Sequence, residues 1–205
     1  MGKKIAIIAL LLLPAALIAQ SAESAIGGEA TVSAGVEMST FNPDWGCANS
    51  APFGCANQLY GPTAVFNFDL HQKYGFEGEA RWLHWHGNGG MVESNYLIGP
   101  RYRLYRWDRL TLWGKLGMGG GWITTPDYPA AGSLKGSYFA YAPGATGNFR
   151  LNRRISLRAD YEYQFWPSFA GTPSYDPTTG KVLQHQSGLT PNGTSFGVVY
   201  RFLGQ

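Results

Sequence analysis

Between Ile155 and Trp166 the chain reads I-S-L-R-A-D-Y-E-Y-Q-F-W, and its polarity alternates without a break. Leu157, Ala159, Tyr161, Tyr163 and Phe165 fall on one side of an extended strand. Ser156, Arg158, Asp160, Glu162, Gln164 and Trp166 fall on the other. Successive strand side chains point to opposite faces, so this segment is apolar on one face and heavily charged on the other. Two kinds of fold accommodate such a strand. A soluble sandwich or barrel turns the apolar face into its core and spreads the charges over water. A small transmembrane barrel shows the apolar face to lipid and encloses the charges.

The same period recurs along the chain. It predicts eight strands, over residues 29–41, 62–71, 74–86, 92–105, 110–123, 136–151, 155–166 and 193–203. The phase blurs from Leu83 to His86, where a bulge or the end of a membrane belt is expected. Pro100 and Pro143 each lack a ladder donor, so bulges are expected there too. Turn residues set the connections. Gln72–Lys73, Arg106–Arg109 and Asn152–Arg154 are short; Asn42–Tyr60, Thr124–Lys135 and Pro167–Asn192 are long; Gly87–Gly90 is modest. Short turns at one end, where both chain ends lie, and longer loops at the other give the layout of an outer-membrane barrel. Most strands have the ~9–11 residues that a tilted membrane-spanning strand needs.

Composition narrows the compartment. The 205 residues suit one domain, aromatic residues make up 15 % and charged residues only 14 %. Lys3 and Lys4 precede an apolar run from Ile5 to Ala19, broken by Pro14 and followed by small residues. This reads as a secretory leader, residues 1–22, with cleavage somewhere in 19–25. The run is shorter than the ~20 residues of a spanning helix. Its removal takes the formal charge of +3 to about +1, so nothing in the balance asks for nucleic acid. In an exported chain the two cysteines, Cys47 and Cys55, are expected to form a disulfide within their loop.

Residues assigned to the charged face of the strands form a set of nearly balanced sign. The acids are Glu37, Asp69, Glu77, Glu79, Asp160 and Glu162. The bases are Arg81, Arg101, Arg103, Lys115, Arg150, Arg158 and Arg201. Enclosed charges need partners, and an eight-stranded barrel has room for side chains and little else. A salt-bridged plug is the expectation. The opposite face is aliphatic and aromatic, with Trp82, Tyr96, Tyr102, Trp122, Tyr161 and Tyr163 placed to form interfacial girdles.

In strand count, alternation and loop layout the chain resembles the small outer-membrane barrel family that includes OmpX and the membrane domain of OmpA. The resemblance covers residues 28–203. Its last strand, S-F-G-V-V-Y-R-F (Ser195–Phe202), is similar to the signal that the barrel-assembly machinery reads, although Leu203, Gly204 and Gln205 follow the closing aromatic. The resemblance implies an all-β, eight-stranded antiparallel transmembrane up-and-down barrel in a bacterial outer membrane. It also implies contact with outer-membrane lipids and with the assembly machinery.

The remaining motifs carry little chemistry. His84 and His86 share a strand face, but a metal site lacks a third ligand at useful spacing. No cofactor motif is present: the glycines at 117 and 119–121 lack the Lys-Ser/Thr and helix of a phosphate loop. An outer-leaflet lipid-modifying enzyme would need a nucleophile with base and acid near the loops, where His84, His86, His185, Ser168 and Ser187 fall, and none sits in a recognisable motif. The chain is therefore read as a non-enzymatic barrel with a structural or surface-interaction role, its long loops open to an extracellular ligand. A narrow porin-like channel for small solutes is the alternative reading, and a lipid-modifying enzyme the third.

Overall fold

The computed structural model describes residues 30–44, 58–70, 73–85, 90–124, 135–170, 174–175, 182–184 and 187–203. The leader, Cys47, Cys55, His86 and His185 lie outside these residues. Eight long antiparallel strands close into a barrel: β1 (Ala30–Asn42), β2 (Leu59–Leu70), β3 (Tyr74–His84), β4 (Val92–Trp107), β5 (Leu110–Thr124), β6 (Lys135–Arg150), β7 (Ile155–Tyr163) and β12 (Asn192–Leu203). Each pairs with its sequence neighbours, and β12 returns to β1 through contacts such as Phe196 opposite Met38. Closure leaves none of these eight strands with a free edge, the condition for crossing a bilayer with strands.

The long final loop is not featureless. β8 (Trp166–Ala170) pairs with β11 (Ser187–Leu189), and β9 (Ser174–Tyr175) pairs with β10 (Val182–Gln184). The seventh barrel strand therefore stops at Tyr163 rather than Trp166. Gln164 N–H donates to the Pro191 carbonyl, and Phe165 bridges to Tyr141, as the chain passes from barrel wall to hairpin.

The expected bulges fall elsewhere. β3 and β4 pair in one unbroken register from Tyr74–Tyr102 to His84–Val92, so Leu83 stays inward and His84 outward. The sequence blurred there because an apolar residue, Leu83, occupies the inward face. Register also runs through both prolines. The β4–β5 ladder skips Gly99 and Pro100 and resumes unshifted, and the β6–β7 register is the same on either side of Pro143. Each proline removes a donor without inserting a residue. The shift in β4 comes at Leu104, between the pairs Arg103–Trp113 and Tyr105–Leu112.

Two faces result. Outside, Val36, Phe66, Ile98, Leu116, Tyr161 and Phe196 are exposed. Toward the loops, Trp82 Nε1 donates to the Tyr96 hydroxyl (2.9 Å), and Tyr96 packs edge-on against Trp122. Toward the turns, Tyr74 meets Tyr102 and Tyr200 meets Phe202. Two aromatic girdles thus bracket an aliphatic band, as on a chain whose outer surface meets lipid. Inside lie the charges.

Candidate functional site

The lumen is filled in three layers. The middle layer is ionic. Arg158 on β7 makes a two-pronged contact with Glu77 on β3 (2.6 and 2.9 Å) and pairs with Glu37 on β1 (2.5 Å). Arg81 on β3 reaches back to Glu162 on β7 (2.9 Å). In the ring of eight strands β3 and β7 stand opposite, so these pairs cross the full lumen. Lys115 on β5 holds the centre. Its ammonium lies 2.5 Å from Asp160, 2.9 Å from Glu79, 2.9 Å from Glu162 and 3.1 Å from Glu77. Arg101 on β4 forks onto both oxygens of Asp69 on β2 (2.6 and 2.7 Å) and touches Glu77 (3.0 Å).

Strand alternation puts these groups inside, and the barrel register brings them within reach of one another as one continuous network. All ten are buried. The Lys115 ammonium is thus shared among four carboxylates, and it is the nearest cation to Asp160, whose next is Arg158 at 3.7 Å. Glu77, Glu79 and Asp160 bring ligand oxygens within 4.8 Å of one another, a spacing suited to a cation, and the cation they surround is Lys115.

Toward the loops the filling turns apolar. Phe41, Leu59, Leu83, Met91, Ile123, Trp166, Phe169 and Leu189 form one buried cluster, with Tyr138 against it. Trp166 projects inward from the hairpin, and Gly121 makes the space: a Cβ there would lie 2.3 Å from the indole ring. A polar seam joins this cluster to the ionic layer. Trp166 Nε1 donates to Gln164 (2.8 Å), Gln164 donates to Glu162 (2.7 Å), and the Arg81 guanidinium lies 4.2 Å from the centre of the Phe41 ring. Glu93 is fully buried here, accepting from Asn95 (3.1 Å), with no base at ion-pair distance among the described residues.

Toward the turns the lumen opens as a basic mouth. A cavity of about 110 Å³ is lined by Arg103, Arg106, Arg109, Arg150, Arg154 and Arg201, with Trp113 in its wall. Arg101, 4.1 Å from the Trp113 ring centre, forms its floor.

The sequence assigned thirteen charged residues to the interior. The structure brings ten into contact: Glu37, Asp69, Glu77, Glu79, Arg81, Arg101, Lys115, Arg158, Asp160 and Glu162. Arg103, Arg150 and Arg201 stand apart. They lie beyond the Arg101–Asp69 pair on their strands, partly exposed, with no ion pair to a described carboxylate. Glu93 and the apolar cluster were missed, although Glu93 shares its strand face with Arg101. Of the residues considered for metal or nucleophilic chemistry, His84 is exposed on the outer wall beyond Trp82, and Ser168 is exposed on the loop hairpin.

No protein-family model matches the chain, and no curated protein matches its sequence. Solved structures do match. Neisserial surface protein A is 10 % identical, with a TM-score of 0.56 over 83 % of this chain and 96 % of its own. The attachment invasion locus protein Ail of Yersinia pestis is 18 % identical, with a TM-score of 0.51 over 85 % of this chain and 98 % of its own. This chain has the fold of the small outer-membrane barrels. The outer membrane protein OprG of Pseudomonas aeruginosa is similar in the same way: 8 % identity, TM-score 0.50, 87 % of this chain and 97 % of its own. At such identities the likeness is one of fold alone.

Proposed function

We propose that the chain is an integral outer-membrane protein that acts as a closed scaffold, serving membrane integrity or surface contact rather than solute passage. The observation that carries this reading is the pair of contacts across the lumen, Arg158–Glu77 and Arg81–Glu162. They join opposite walls at mid-height, and the apolar cluster around Trp166 fills the space above them. A solute would have to part both layers. Binding then falls to the loops that a rigid barrel presents. Ail has been crystallised with the heparin analogue sucrose octasulfate, which supports a ligand-presenting use of this fold. On this reading residues 1–22 are a cleaved leader, Cys47 and Cys55 are bridged in the first long loop, the assembly machinery inserts the barrel, and no catalysis is involved.

The test is conductance of the refolded protein in a planar bilayer, with insertion verified by protease protection. A silent membrane is expected. Steady unitary openings from inserted protein would overturn the reading in favour of a narrow channel.

A further inference from the structure

We propose that the arginine mouth at the turn end binds a phosphate-type oxyanion. The site is assembled by the bulge in β4. Plain alternation after Arg101 and Arg103 would turn Tyr105 and Trp107 inward and send Arg106 outward. The extra residue at Leu104 leaves Leu104 and Tyr105 both on the outer wall, where they are 62 % and 58 % exposed, and brings Arg106 into the cavity lining. A bulge that re-aims a side chain in this way is a feature of built sites.

The arginines approach from several parts of the wall. Arg103 and Arg106 come from β4, Arg150 from β6, Arg201 from β12, Arg109 from the β4–β5 turn and Arg154 from the β6–β7 turn. Arg201 lies within electrostatic reach of Arg150, of the acid Asp69 and of Arg106, two bases against one carboxylate. Arg103, Arg109, Arg150 and Arg201 have no carboxylate at ion-pair distance among the described residues. Asp69, the acid in the wall, has both oxygens taken by Arg101. The other described acid in the lining is Asp108, in the β4–β5 turn.

A solvated basic surface would let such side chains splay apart. Here Arg103, Arg150 and Arg201 are partly buried against one concavity, so their repulsion is offset by an anion rather than by separation. Guanidinium groups match the paired oxygens of phosphate, where a lysine offers a point charge. The cavity of about 110 Å³ far exceeds the ~10–15 Å³ that one water centre needs. The anion could be free phosphate, or the phosphate of a phospholipid in the leaflet at the turn end, against which the Tyr74–Tyr102 and Tyr200–Phe202 girdle would sit. The proposal does not depend on whether the lumen conducts.

The test is calorimetric titration of the refolded barrel in octyl glucoside micelles, in a low-salt buffer free of phosphate. One arm adds inorganic phosphate and the other a short-chain phosphatidic acid. Saturable binding in both arms is the result expected of a free-anion site. Saturation by the lipid alone assigns the mouth to a headgroup. Either supports the proposal. R150Q/R201Q should bind at least tenfold more weakly, while R153Q, whose side chain lies outside the cavity lining, should match wild type. If the double variant does not fold, the single R150Q serves. Absence of saturable binding by wild type in both arms overturns the proposal. So does equal binding by a folded R150Q/R201Q barrel.

Discussion

Replacing Lys115 with methionine keeps the length of the stem and removes the charge at the centre of the ionic layer. The loss can be worked out partner by partner. Glu77 retains Arg158 and Arg101 at 2.6 and 3.0 Å, and Glu162 retains Arg81 at 2.9 Å. Glu79 keeps weaker contacts, Arg81 at 3.4 Å and Arg158 at 3.6 Å. Asp160 is left with Arg158 at 3.7 Å and with no hydrogen bond on either oxygen. The substitution therefore orphans chiefly one buried carboxylate, for which ~3–5 kcal/mol is the expected loss. Adding D160N removes that orphan and should return about 2 kcal/mol, a coupling typical of groups in one network. The assay is urea unfolding in lipid vesicles, followed by the mobility difference between folded and heat-denatured barrel on a gel. A K115M loss below ~1 kcal/mol, within the range of surface pairs, or no recovery with D160N, would refute the account of Lys115 as the shared counter-ion.

Four further outcomes follow from named residues. Tyr161, half-exposed on the outer wall, should cost ~2–4 kcal/mol as Y161R if it sits near the bilayer midplane, read by the same unfolding assay. E93Q should be neutral or stabilising, because this carboxylate is buried with no base at ion-pair distance among the described residues; a loss above ~1 kcal/mol would mean that its charge is used. W166A should cost ~3–5 kcal/mol by emptying the space beside Gly121, yet the bilayer should stay silent because the ionic layer is untouched. Thiol labelling of exported protein without reductant should leave Cys47 and Cys55 unmodified, and rapid labelling of both would exclude their disulfide.

Alternation made the barrel legible. Residues 155–166 place Arg158, Asp160 and Glu162 on one side because a strand has no other arrangement, and the same rule fixes the inward set of β1 to β5. What the rule does not contain is height along the barrel axis. Arg101 and Arg103 are equivalent in sequence, but only Arg101 is level with Asp69. The interior cluster at the loop end escaped for a related reason: Phe41, Leu83 and Met91 are apolar residues on an inward face, and polarity alone assigned them no side. The bulge at Leu104 escaped because the alternation reading ends the strand at Tyr105: the doubled apolar step Leu104–Tyr105 breaks alternation, but the changed phase shows only once Arg106 and Trp107 are counted in the strand. The expectation at Pro100 and Pro143 erred by equating a missing donor with an inserted residue.

The contacts across the lumen also bear on how this molecule comes into being. In both Arg158–Glu77 and Arg81–Glu162 the partners are 81 residues apart in sequence. They join strands that are never adjacent in any open sheet. Hairpins such as β2–β3 and β4–β5 can form early, but their inward charges then face whatever medium the unfinished sheet lies in. Only when β12 meets β1 do the opposite walls approach, so the pairs that cross the lumen form together in one late event, after local pairs such as Arg101–Glu77 on neighbouring strands. Strand association of such long range is slow. A sheet that stalled short of closure would carry unmatched charge toward hydrocarbon, at the cost that attends a buried, unpaired ion. The network thus acts as a proofreading latch: it rewards the completed ring, and it disfavours a barrel with a strand missing or misordered.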